Sequence, residues 1–272
     1  MARAVEPSAT VVIVKLGGSV ITRKLEVEKV RPKVLARLAR EIAEVHDRPV
    51  VLLHGAGSFG HPGAKRFGLA LPPAEGTSGR ERIRGAAVVA SEVRRLHHFV
   101  LRELVRAGAS PASVPMATHA RNRAGQLAHL DPEPVRAALA GGFLPVSFGD
   151  VVPDEEWGAS ILSADTIAVR LAPALRAARV VFVSDVEGVL APTSGGRPSV
   201  LREVTEAAVP PLRGASEGSD VTGGIRGKVR AMLAIAASGA DAGLISGLSD
   251  GAVSRAIRGS MDFGSWARAR SA

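Results

Sequence analysis

Lysines set beside glycine pairs are the residues of this chain whose types and spacing best suit chemistry. Lys15 ends a run that opens with four β-branched residues, VVIV at 11–14, and Leu16 is followed by Gly17, Gly18 and Ser19. The apolar run suits a strand buried on both faces. Two glycines directly after it let the backbone turn sharply or approach another group closely. Their N–H groups, with an ammonium nearby, favour an anion such as phosphate. A tight turn carrying a surface lysine uses the same residues, and this stretch alone does not separate the two. A second glycine-rich loop, Gly55-Ala56-Gly57-Ser58-Phe59-Gly60-His61, is expected at the end of the strand over 49–54. It meets the G-x-G-x-x-G spacing of dinucleotide sites. However, His61-Pro62 comes where that motif needs an uninterrupted helix, and no clear acidic residue ends the next strand. The P-loop pattern G-x-x-x-x-G-K-S/T is absent, and no histidine cluster suggests zinc. Phosphoryl transfer fits better. It asks little covalent chemistry of a protein, and needs cations and backbone N–H donors around phosphate oxygens, usually with Mg²⁺. Lys15, Lys24 and Lys228 with the glycine-rich segments supply such groups.

These residues must be held by something, and the chain alternates short apolar runs with helical spacing. Strands are expected at 11–16, 49–54, 114–118, 143–148, 180–184 and 242–246, and helices from Pro32, over 79–107, 131–141, 163–171, 221–237 and 250–258. That alternation predicts an α/β fold with a mostly parallel sheet covered by helices on both faces. Ligands of such sheets bind beyond the carboxyl ends of the strands. Residues 15–19, 55–61, 149–150 and Asp185 all follow expected strands, so four polar or glycine-rich ends converge on one edge. A polar loop is expected through Arg121, Asn122 and Arg123, and an approximate lobe boundary near 154–163.

Composition narrows the classes further. The chain has 272 residues, 46% of them hydrophobic, enough for a sizeable folded core. Cysteine is absent, which excludes disulfides, thiolate metal sites and cysteine nucleophiles. The formal charge is +9, yet aromatic residues are 3% and tyrosine is absent, so stacking platforms for nucleic acid are scarce. An arginine- and alanine-rich background, together with anionic small-molecule substrates, accounts for the excess more simply. Neither a leader nor an uncharged apolar run of membrane-spanning length is evident, and a cytoplasmic protein is expected.

The segments KLGGSVITRK, HGAGSFGH, SFGDVV, LSADTIAVRLA, VSDVEGVL and DVTGGIRGKV occur in that order over nearly the whole chain. Together they resemble the amino acid kinase superfamily, and within it the isopentenyl phosphate kinases. The resemblance implies a three-layer α/β/α sandwich, an acceptor lobe over about 1–158 and an ATP lobe over 159–272. It implies transfer of the ATP γ-phosphoryl group to isopentenyl phosphate with Mg²⁺, and a homodimer. On the matching positions, Lys15, Lys24 and Lys228 would contact the phosphates, and Asp165 would orient the lysines. Gly17, Gly18 and Ser19 would offer backbone donors to ATP, with Gly57, Asp185, Gly223 and Gly224 also on the nucleotide. Ala56, Gly57 and Gly149 would approach the acceptor phosphate, and His61 would hydrogen-bond it. Ile83, Ala86 and Ala87 are candidates for the prenyl pocket, with plain core as their alternative. Two positions depart from the family pattern: Thr166 follows Asp165 where a second acid is usual, and Ala56 replaces a glycine. A fosfomycin-type phosphonate kinase of the same superfamily, or a non-catalytic nucleotide-binding module, are the competing expectations.

Overall fold

The computed structural model describes residues 10–23, 25–76, 78–190, 199–208 and 224–269. The chain runs β1 (Val12–Leu16), α1 (Gly18–Ile21), α2 (Pro32–Ala43), β2 (Val50–His54), α3 (Gly57–Arg66), α4 (Gly79–Arg106) and β3 (Pro111–Ser113). It continues through β4 (Ala120–Arg123), β5 (Gln126–Leu130), α5 (Glu133–Ala140), β6 (Leu144–Phe148), β7 (Asp150–Asp154) and β8 (Gly158–Leu162). The remainder comprises α6 (Ala164–Ala174), β9 (Arg179–Ser184), α7 (Gly224–Ala237), β10 (Asp241–Ser246), α8 (Ala252–Arg258) and β11 (Ser265–Ala267).

Seven strands form one sheet in the order β11-β10-β9-β1-β2-β6-β3, parallel except for the edge strand β11. The chain is the α/β sandwich expected. Strand β1 lies at its centre, and its alternation divides the core. Val12, Val14 and Leu16 pack on one face with Leu35, Leu38 and Ile42 of α2. Ile13 packs on the other with Ile167 and Leu171 of α6 and Met232 and Ile235 of α7. Side chains alternate along a strand, so Lys15 shares the face of Ile13 and points toward α6 and α7.

Register explains why the strand ends meet. Leu16 lies opposite His54 of β2 and Val183 of β9, and His54 lies opposite Phe148 of β6. The residues that follow, Gly17, Gly55, Gly149 and Ser184, therefore stand along a single edge.

Several expectations are corrected. Segment 55–61 is not a loop: Gly57 begins helix α3, which carries Pro62 inside it. Proline has no N–H for the Ser58 carbonyl. The Glu28 N–H donates to that oxygen instead, at 3.1 Å. No strand forms at 114–118: β3 lies ahead of it at Pro111–Ser113, and Met116–Thr118 is a 3₁₀ turn. The polar loop expected through 121–123 is strand β4 of the hairpin β4–β5, and β7 and β8 form a second hairpin. These strands make a second sheet in the order β5-β4-β7-β8. Asp154 organises both turns, accepting from the N–H groups of Ala124, Gly125, Glu156 and Trp157 and from the Ser160 hydroxyl.

Candidate active site

The aligned strand ends open into a cavity of about 670 Å³. Lys15, Gly17, Gly18, Ser19, Ala56, Gly57, His61, Gly149, Asp165, Asp185, Gly224 and Lys228 all lie on its wall. The N-termini of α3, α6 and α7 also face it, through Gly57, Ala164 and Gly224. Each brings backbone N–H groups and a partial positive charge to the wall, which together favour a polyanion.

The charged centre is a triad. The Lys15 ammonium is 2.7 Å from one oxygen of Asp165, and Lys228 is 3.5 Å from the other. Burial by itself would raise the pKa of Asp165, but the two lysines outweigh it and hold the carboxyl below its ordinary range. Asp165 is thus ionised, set between the two lysine side chains. Its position comes from the cap of α6: the Ser163 hydroxyl accepts from the Thr166 N–H at 3.0 Å and pairs with the Thr166 hydroxyl at 2.8 Å. Thr166, standing where relatives are expected to carry a second acid, therefore completes the cap.

The two glycine-rich segments fit into one another. A Cβ on Gly18 would fall on the backbone nitrogen of Gly57, and Gly57 itself has φ +50°. Neither position accepts a larger residue without moving the other segment. Ser19 is fixed from its side chain, donating to Asp185 at 2.7 Å, and Ser184 donates to the same oxygen at 3.2 Å. Although burial raises the Asp185 pKa, the Ser19 bond and its companions bring it below the usual value. His61 lies on the second turn of α3, facing the cavity and partly exposed. Gly149 donates its N–H to the His54 carbonyl at 3.0 Å. Asp150 turns away from solvent and pairs with Arg94 at 3.2 Å.

Three expected groups are not brought to the wall. Ile83 is 50% exposed, Ala87 also faces solvent, and Ala86 packs with Leu69 and Val151 behind the wall. The face that α4 presents to the cavity is Val89 and Val93, joined by Val151, Ile161 and Ala64. The helix phase is therefore rotated from the one chosen on small residues, although the spacing of Val89 and Val93 was visible. Lys24 and Gly223 lie outside the described residues. Gly247-Leu248-Ser249-Asp250-Gly251 has the G-x-S-x-G spacing between β10 and α8. Ser249 is not on the cavity wall, nor among the non-glycine residues with positive φ, so it does not form the strained elbow that this spacing marks.

The amino acid kinase family model matches residues 10–245. The chain is 32% identical over 253 residues to the isopentenyl phosphate kinase of Methanothermobacter thermautotrophicus, covering 91% of this chain and 95% of that protein. It is 36% identical over 231 residues to the isopentenyl phosphate kinase of Haloferax volcanii, covering 84% and 89%. Its structure is similar to a crystal structure of an isopentenyl phosphate kinase with a TM-score of 0.82 at 28% identity, over 94% of this chain and 99% of that one.

Proposed function

The chain belongs to the amino acid kinase family, and from that premise we infer that it transfers the γ-phosphoryl group of ATP to isopentenyl phosphate, giving isopentenyl diphosphate. The observation that carries the chemistry is the Lys15–Asp165–Lys228 triad at the meeting point of three helix N-termini. Transfer of a phosphoryl group spreads charge over its equatorial oxygens, and fixed cations and N–H donors stabilise it most where water is excluded. Lys15 and Lys228 supply the cations, and Asp165 holds them apart and in place. The acceptor is itself an anionic phosphate, so no strong general base is needed. His61 hydrogen-bonds that phosphate, and Gly149 and Ala56 let the backbone approach it. The aliphatic wall of Val89, Val93, Val151 and Ile161 suits a five-carbon tail and offers nothing to a small polar phosphonate.

Mg²⁺ is proposed as the companion of ATP. Such an ion usually keeps several waters and takes one or two carboxylates plus phosphates. Among the described residues no group of three or more His, Asp or Glu could cage it, and Asp185 is a carboxylate on the wall. Asp185 is the wall carboxylate that would help to hold it, and the ion would supply charge neutralisation for the phosphates.

We assign residues 1–158 to the acceptor side and 159–272 to the ATP side. Strands β2, β6 and β3 lie on one side of β1, and β9, β10 and β11 on the other, which supports that division. We propose a homodimer on the family resemblance, tested by light scattering of the purified protein, and a cytoplasmic location. No described helix is long and apolar enough to cross a membrane.

The direct test is ADP release with ATP and Mg²⁺ against isopentenyl phosphate, fosfomycin, N-acetylglutamate and no acceptor. Saturable turnover with isopentenyl phosphate alone is expected. Turnover with fosfomycin alone would retain the chemistry and overturn the acceptor.

A further inference from the structure

Behind the second glycine-rich segment, three polar side chains form a line that the proposed transfer does not use. His54, the last residue of β2, is fully buried, and its Nδ1 lies 3.1 Å from the Gly55 carbonyl oxygen. Its Nε2 is 3.0 Å from Nδ1 of His97 on α4. Nε2 of His97 is in turn 2.8 Å from the hydroxyl of Ser113, at the exposed end of β3. The Phe148 ring lies against both imidazoles, with centroids 5.4 and 4.4 Å away. Burial, the largest influence on each, lowers the pKa of His54 to about 4 and that of His97 to about 3. Both rings are neutral at pH 7.

The directions of these bonds follow from one atom. A carbonyl oxygen only accepts, so His54 must carry its proton on Nδ1. A neutral imidazole that donates from one nitrogen accepts at the other. Nε2 of His54 therefore accepts from Nδ1–H of His97, and Nε2 of His97 accepts from Ser113. Three donations run in series from the surface to Gly55. The peptide bonds are trans, so the Gly55 oxygen and the Ala56 N–H point in opposite directions. With the oxygen drawn onto the buried imidazole, the Ala56 N–H is turned away from it, and Ala56 lies on the cavity wall. Among the described residues no backbone carbonyl accepts that N–H. Two apolar side chains would fill the same space without the desolvation that two imidazoles incur. What hydrocarbon lacks is a fixed donor to Gly55.

We propose that His54, His97 and Ser113 form a positioning relay that fixes the Gly55–Ala56 peptide with its N–H toward the phosphate of the acceptor. The proposal rests on the phosphoryl-transfer function inferred above. The three residues touch no substrate; they act through the peptide.

The experiment combines ¹⁵N NMR of the imidazoles in the full-length protein at pH 7 with kinetics of two variants, His97→Leu and His97→Asn. Wild-type protein should show both His54 and His97 as the Nδ1–H tautomer. His97→Leu should loosen the His54 ring, broadening its Nδ1–H resonance, and lower kcat by roughly tenfold, within what a misplacement of about 1 Å can cost, with KM for ATP unchanged. His97→Asn, whose side-chain amide replaces the Nδ1–H donor, should recover most of the lost kcat. A protonated or Nε2–H imidazole at either position in the wild type would overturn the relay, as would a folded His97→Leu with wild-type kcat. If His97→Leu does not fold, the wild-type tautomers and the Asn variant decide the matter. Wild-type inactivity toward isopentenyl phosphate would instead count against the inferred function, and it is measured independently of the tautomers.

Discussion

Asp165 on α6 holds the Lys15 ammonium of β1 at 2.7 Å, and both side chains are buried. A buried charge is tolerated when it is paired, and here one carboxylate holds two lysines. On the proposed reading, such fixed groups need little rearrangement during transfer.

Asp165→Asn should remove the anchor of both lysines. Breaking a buried pair costs about 3 kcal/mol or more, and kcat should fall by one to two orders of magnitude through misplacement of the cations. The folded pKa of Asp165 is depressed. Its contribution to stability is therefore complete above the ordinary carboxylate value of about 4 and is lost as pH falls through the lowered folded value. Thermal unfolding of the two proteins between pH 7 and pH 3 checks this: their difference should shrink at the acid end. A constant difference would show that Asp165 acts by shape alone.

His61→Ala should lower turnover of isopentenyl phosphate, with ATP binding by calorimetry nearly intact. Removing one hydrogen-bond donor from a transition-state oxygen typically costs on the order of a hundredfold in kcat. Equal loss of ATP affinity would make His61 a structural residue of α3. Lys228→Ala should weaken ATP binding and transfer together.

Val93→Phe should narrow the cavity where α4 meets the glycine helix. Overpacking of this kind costs roughly 1–3 kcal/mol, so KM for isopentenyl phosphate should rise about tenfold or more while KM for ATP stays level. Ala87→Phe places the same ring in solvent and should leave both unchanged. A rise in acceptor KM for Ala87→Phe but not for Val93→Phe would reverse the assignment of the α4 face.

Asp154→Asn should destabilise the small sheet without touching the cavity. Burial favours the neutral form of Asp154, but bonds from Ser160, Trp157, Gly125 and Glu156 prevail and lower its pKa. Hydrogen bonds to a charged group contribute about 1.5–3 kcal/mol each in their net effect, and an amide cannot accept all of them. Urea unfolding at pH 7 should show a lower midpoint for the variant. As pH falls below the ordinary carboxylate range, the wild type should approach it.

The long, strongly patterned elements were legible before any coordinates. Helix α4 was expected over 79–107 and spans Gly79–Arg106, and the expected strands at 49–54, 143–148 and 180–184 each match to within a residue or so. Helix α3 was not, because three glycines and Pro62 oppose helix locally, and the bond that completes it comes from Glu28, outside the segment. The hairpins β4–β5 and β7–β8 carry little local signal, because their turns depend on one carboxylate, Asp154, reaching across two strands.

Sequence by itself determined that Lys15 shares a face with Ile13, because side chains alternate along any strand. It determined that glycine-rich segments follow the strands, and, since neighbouring parallel strands end together, that those segments share an edge. Which groups meet there was decided by the tertiary structure. Asp165 and Lys228 reach Lys15 because the crossovers set α6 and α7 on its side of the sheet. His97 reaches His54 because α4 packs behind β2 and β6. Local spacing records which side of an element is buried; it carries no record of the partner across the gap, which is set by strand order and helix phase.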